Sequence, residues 1–162
     1  MDDMMASLTA FNADLDKFAK LIDVEFNIVV RRVVLSILKG VMVGQDAEGK
    51  PIGPGTPVDT GRARASWFVN SDSPGSDTAP AAAKDGKIDW AGVNDATIGS
   101  ATAAIKADPY KKWWVYNNLP YIRALELGHS EQAPEGFVAI AVALVEAEIM
   151  GIMAAAEEEA KA

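Results

Sequence analysis

The residues with chemistry to offer gather in two stretches. TPVDTGRARASW, residues 56–67, brings Asp59, Thr60, Arg62, Arg64 and Ser66 close together, and VYNNLPYIRALELGHSEQAP, residues 115–134, holds Glu126, the sole histidine His129, Ser130 and Glu131. A histidine beside serines and carboxylates is the inventory of a small hydrolase: His129 as general base, Ser130 or Ser66 as nucleophile, a carboxylate to orient the ring. Nearness in sequence is not that geometry, and turns collect the same residues for local hydrogen bonds. Asp59, Arg62, Arg64 and Ser66 read either as an anion site or acid pair, or as a capped turn with one arginine paired to a carboxylate such as Glu126. No phosphate cradle accompanies them. GKPIGPG, residues 49–55, lacks the lysine and hydroxyl that a Walker loop places before a helix. One histidine and scattered carboxylates show no helical HxxxH and no DxDxDG loop, so neither a metal nor a cofactor is expected. Trp67, Trp113, Trp114, Tyr116 and Tyr121, with Lys111, Lys112 and Arg123 nearby, offer a base-stacking patch or, at alternating strand positions, core and interface anchors.

The whole chain narrows these readings. Its 162 residues make one ordinary domain, 1–162, large enough to bury a core unaided. The absence of cysteine excludes disulfides and thiolate chemistry. A formal charge of −8 argues against a free nucleic-acid binder with a broad basic face, though DNA could still pass close to an acidic surface. MDDMMASL has acidic residues where a signal peptide carries basic ones. FVAIAVALV, residues 137–145, soon meets Glu146 and Glu148 and reads as a buried helix segment, too short and charged to span a bilayer, so no membrane partner is expected.

The elements that would position these residues follow from spacing. From Met4 to Val41 the large apolar residues recur every three or four positions, predicting one long helix that stops at Gly40 or Gly44. At 1.5 Å per residue it runs about 55 Å, longer than a small domain is wide, so part of it should pack on a sister subunit. Residues 44–58 and 71–86, rich in Gly and Pro or of low complexity, are expected as flexible loops. Between them Asp59 or Thr60 caps a short helical turn through Arg62 and Arg64, and a strand with Ala65, Trp67 and Val69 on one face follows. The second loop should interrupt a hairpin. Residues 87–110 suggest a short strand and then an ill-defined helix or loop. KKWWVYNNL reads as a strand and PYIRALELG as a helix ending at Gly128, with Ile122, Leu125 and Leu127 toward the sheet. A last helix runs from Pro134 to about Glu158. The fold class is α+β: long N-terminal and C-terminal helices on a small, mainly antiparallel sheet.

The two opening stretches, in this order and between two long helices, resemble the gp10-like family of tailed-bacteriophage neck proteins, called tail-completion, head–tail joining or minor tail proteins. The matching residues are Pro57 to Arg62, Arg64, Ser66 and Trp67, then Val115 to Asn118, Pro120, Tyr121, Leu125, Glu126, Gly128 to Ser130, Gln132 to Pro134 and Gly136. Leu127 departs, standing where an aromatic is common. The resemblance implies a non-enzymatic virion protein acting as a six- or twelve-fold ring of copies of itself, between the connector or stopper and the tail terminator. It makes Asp59 and Thr60 caps, Gly61 the residue of a tight turn, and Arg62 or Arg64 an ion-pair or subunit contact. Trp67, Trp113, Tyr116, Tyr121, Glu126, Gly128 and His129 become fold or interface residues. The rivals are the hydrolase built on His129 and an oligomeric adaptor unrelated to phages.

Overall fold

A computed structural model describes residues 2–80 and 87–161, with side chains from Leu15 onward. Residues 81–86 of the second expected loop lie outside the described residues. The periodicity of the N-terminal segment produces a single helix, α1 (Asp2–Val43). Of the two glycines expected as stops, Gly44 takes the role: it sits at φ +74°, and its N–H donates to the Gly40 carbonyl at 3.0 Å, the single bond of a left-handed cap. Gly40 stays inside the helix because the C-terminal helix presses on it, so that a Cβ there would lie 2.9 Å from the Ala141 Cβ.

The loop after α1 is tied back to it: Ile52 N–H donates to Gly44 at 2.7 Å and Thr56 N–H to Val41 at 2.8 Å. A single helical turn, α2 (Arg62–Ala65), leads into β1 (Phe68–Ser71), shorter than expected because Ala65 and Ser66 still belong to the turn. Residues 87–110 overturn the expected strand. They form α3 (Trp90–Ala107), opened by Asp89, whose side chain accepts the Gly92 N–H at 3.1 Å. The buried residues of α3 are Asn94, Ala101 and Ile105, too small or polar a set to give a strong helical pattern.

β2 (Trp113–Tyr116) then pairs antiparallel with β1, Phe68 opposite Tyr116 and Ser71 opposite Trp113, which makes the intervening segment an insertion in a hairpin. Next come α4 (Ile122–Glu126) and α5 (Val138–Lys161). Gly128 at φ +85° ends α4 through paired bonds, Gly128 N–H to Leu125 and His129 N–H to Ala124, both 3.1 Å. Ile122 and Leu125 reach the core, but Leu127, expected to face the sheet, is 67% exposed because it occupies the outward side of the last turn.

The fold is therefore mixed helix and sheet, two long helices packed with a small antiparallel pair. Two strands alone are marginal. Their support comes from the core of Leu38, Val41, Met42, Trp67, Ala101, Ala133, Phe137 and Ala141, where Trp67 meets Phe137 edge to face with ring centres 6.3 Å apart. α5 lies along α1, with Ala141, Val145 and Ala156 inward while Leu144, Ile149, Met150 and Met153 face out. The expectation of a buried segment holds for one face only. The helix also continues apolar past Glu146 and Glu148, enough by length and composition to cross a membrane, which corrects the reading of it as too short and charged.

Candidate functional site

The two chemistry-bearing stretches meet. Pro57 to Ala63 form one wall of a cleft of about 300 Å³, and Tyr121, Leu125, His129, Ser130 and Gln132 form the other. Gln132 joins the walls as a strand would: its Oε1 accepts the Val58 N–H and its Nε2 donates to the Val58 carbonyl, both at 2.9 Å. The opposed donor and acceptor of one amide satisfy both polar groups of a loop residue that has no strand partner.

Around this joint the residues that sequence offered for catalysis hold backbone instead. Ser66 is fully buried; its Oγ donates to the Arg62 carbonyl at 2.7 Å and accepts the Ala79 N–H at 3.1 Å. Ser130 accepts the Gln132 N–H at 3.3 Å. His129 is exposed, and among the described residues no hydrogen bond links its ring to Ser130, Ser66 or a carboxylate. The hydrolase arrangement is thus not assembled here. No three His, Asp or Glu side chains converge among the described residues.

The arginines correct a second expectation. Arg64 Nε and Nη2 both donate to the Thr56 carbonyl, at 2.9 and 2.6 Å, and the guanidinium lies over the Trp90 ring, 4.7 Å from its centre. Burial lowers its pKa below the ordinary arginine value. Arg62 Nε donates to the Ala79 carbonyl at 3.1 Å. Neither forms an ion pair among the described residues, because the adjoining loops present carbonyls that no helix or strand satisfies. Thr56 continues the chain of bonds: its Oγ1 donates to Val41 at 2.6 Å and accepts the Trp67 indole N–H at 2.7 Å.

The carboxylate expected for an arginine, Glu126, caps α5. Its Oε2 accepts the N–H groups of Phe137 and Val138 at 2.8 and 2.7 Å, and its Oε1 accepts that of Ala139 at 3.0 Å. These are the orphan donors of a helix N-terminus, where a negative charge is also favoured. Gly136, at φ +81°, permits the approach, since a Cβ there would lie 2.5 Å from the Glu126 carbonyl oxygen.

The expected caps of α2 are corrected too. Gly61 occupies the cap position at φ +87° with no side-chain bond, Thr60 Oγ1 reaches the Arg62 N–H only at 3.4 Å, and Asp59 is exposed. A side chain at Gly61 would strike Trp90, with its Cβ 2.7 Å from the ring. The short turn instead leans on Arg64 and Ser66.

The aromatic group does not form one platform. Trp67 is buried in the core, Trp113 and Trp114 point to opposite faces of β2 as neighbours in a strand must, and Tyr121 lines the cleft. Lys112 sits over the Trp114 ring at 4.4 Å, and Tyr116 donates to Asp77 at 2.8 Å. Burial, then the bond to Asp77, pushes the Tyr116 phenol up to about 12.

One surface was not among the candidate residues. α1 meets its own body last near Asn27, whose side-chain amide donates to Lys106, and Asp23, which accepts from Tyr110 while Phe26 stacks on that ring 4.8 Å away. Beyond that edge Leu15, Phe18 and Ile22 stand 49%, 62% and 46% exposed. The excess length of the helix signalled that something lay beyond the domain.

Compared with protein-family models, curated proteins and solved structures, the chain matches none.

Proposed function

We propose that the chain is a structural subunit of a tailed-bacteriophage virion, a neck or tail-completion protein that assembles with copies of itself between the portal connector and the tail. The observation that carries this reading is the joint between the two stretches that resemble that family. Gln132 bridges to Val58 across it, and Glu126 beside it fixes α5. Polar residues spent on holding loops to helices suit a part whose task is shape. A helix that leaves its domain with its apolar side bare suits a part that meets other subunits.

Quantitative mass spectrometry of purified particles of a phage encoding this chain, calibrated against the portal protein, tests the proposal. A copy number of about six or twelve per particle supports it, by the ring symmetries such necks share with tail and portal. Absence from intact particles overturns it.

A further inference from the structure

The outer half of α1 carries an apolar seam, which at Leu15, Phe18 and Ile22 stands exposed to solvent. Apolar residues fall there at Met4, Leu8, Phe11, Leu15, Phe18 and Ile22. These alternating steps of four and three are the 3.5-residue period that keeps one stripe of a helix against a partner helix. With Leu8, Leu15 and Ile22 at heptad position a and Phe11 and Phe18 at d, the charges Asp2, Asp3, Asp16, Lys17, Lys20 and Asp23 all take b, c or f. Those positions stay in water in a coiled coil, and Asp14, at g, is the one exception up to residue 24. The next d position is Glu25, where the repeat breaks; the stripe resumes at Phe26, where α1 touches Tyr110 of its own body. One helix therefore carries two registers, and the change falls at the edge of the domain.

Among the described residues nothing covers Leu15, Phe18 or Ile22. An apolar groove between Trp67, Ile122, Val138 and Val142 lies near the C-terminal end of α1, roughly 30 Å along the helix from Phe18. We infer that residues 2–24 pair with the same segment of further copies of this chain in a parallel helical bundle. The pattern is complementary to itself: apolar a and d, nearly uncharged e and g. In a parallel pair Asp14 at g faces Ala19 at e, and Leu21 at g faces Phe26 at e, so no like charges meet. Ala19 and Leu21 widen the stripe beyond a two-helix seam, which fits three or more strands. This deepens the subunit reading and rests on it for the claim that copies meet, while naming the segment by which they do.

The test uses the full chain in solution, with mass measured by light scattering at micromolar concentration. The wild type should weigh a whole multiple of 17.2 kDa. Phe18→Asp should reduce it to one chain, with the near-ultraviolet tryptophan signal of the body unchanged, and Lys20→Glu, at an f position, should leave the multiple intact. Because the protein has no cysteine, Phe18→Cys should form disulfide-linked pairs on mild oxidation. A single-chain wild type overturns the inference and leaves the virion role to its own test. An oligomer indifferent to Phe18→Asp also overturns it, since copies then meet elsewhere and the subunit reading survives. Loss of the oligomer in Phe18→Asp without cross-linking in Phe18→Cys overturns arm pairing in favour of an arm seated in a neighbour's groove.

Discussion

The inner and outer halves of α1 are continuous, similarly apolar and differently used. Residues 28–43 bury Ile28, Val34, Leu38, Val41 and Met42 against α3, α5 and the sheet, whereas Leu15, Phe18 and Ile22 face solvent on the same helix. Helix formation alone cannot explain the contrast, because both halves have the composition and spacing of helix. What differs is what the rest of the chain brings alongside: α5 and the loop before β2 reach the inner half and end near Asp23 and Arg31. Buried apolar area decides the stability of the inner half, and an external surface must decide that of the outer half.

The comparison breaks if the two halves respond alike to truncation. Phe137→Ala, in the core that the inner half shares, should lower unfolding stability by about 3–5 kcal/mol, the usual cost of deleting a buried aromatic side chain. Phe18→Ala should change the stability of the single-chain body by less than about 0.5 kcal/mol, as surface substitutions do. Urea unfolding followed by tryptophan fluorescence reads both, since all four tryptophans lie outside the arm. A loss at Phe18 as large as that at Phe137 would mean the arm folds back on its own body.

A finer contrast lies within the second stretch. Glu126→Ala removes the acceptor of three amide donors at the start of α5 and should cost about 2 kcal/mol, the upper range for a helix cap. Asp59→Ala should be nearly neutral, because Asp59 is exposed and among the described residues it does not cap α2. Thermal unfolding of the two variants side by side checks this; equal effects would restore Asp59 as a cap. Next in size is Arg64→Lys, expected to cost about 1 kcal/mol, because an ammonium cannot reproduce the forked bond to Thr56 or lie flat over Trp90. The same denaturation measurement reads it, and an unchanged midpoint would show that the fork contributes nothing.

What the sequence made legible depended on range. The long helix, the glycines that end α1 and α4, and the hairpin with its insertion all follow from local signals: large apolar residues at a fixed period, or a backbone that needs positive φ. α3 was hidden because its buried face, Asn94, Ala101 and Ile105, carries little apolar contrast and its segment contains Gly92 and Gly99. The joint was hidden for another reason. Gln132 and Val58 are 74 positions apart, so nothing in either stretch says that an amide will serve as a strand there. Glu126 was legible as important but not as a cap, since its helix begins beyond a glycine turn rather than after the carboxylate. Residues of the right type were found, and their partners were set by packing.

The smallest expected effect concerns how the body holds residues 71–80 against β2. Tyr116 donates to Asp77, and Asn118 Nδ2 donates to the carbonyls of Gly75 and Asp77, both at 3.0 Å. The Tyr116 phenol is raised from 10.0 to about 12 in the folded chain. A group whose folded value lies above its unfolded one favours the fold while protonated, so its contribution is fully present below about pH 10 and fades as pH rises toward 12. Lys50 beside Glu148 and Lys161 beside Glu157 are also raised and lose their contributions on the same alkaline side. Only the difference between wild type and Tyr116→Phe isolates the phenol. Tyr116 is only part-buried, so solvent screens the interaction and the difference should be modest. Two measurements read it: ultraviolet titration should lose its latest tyrosine step in Tyr116→Phe, and the stability gap between the two proteins should narrow above pH 10. If the late step persists in the variant, Tyr110 is its source. The hydrogen bond to Asp23 raises Tyr110 as well, with desolvation a second cause, and the alkaline limb would then belong to the base of the arm instead of the sheet.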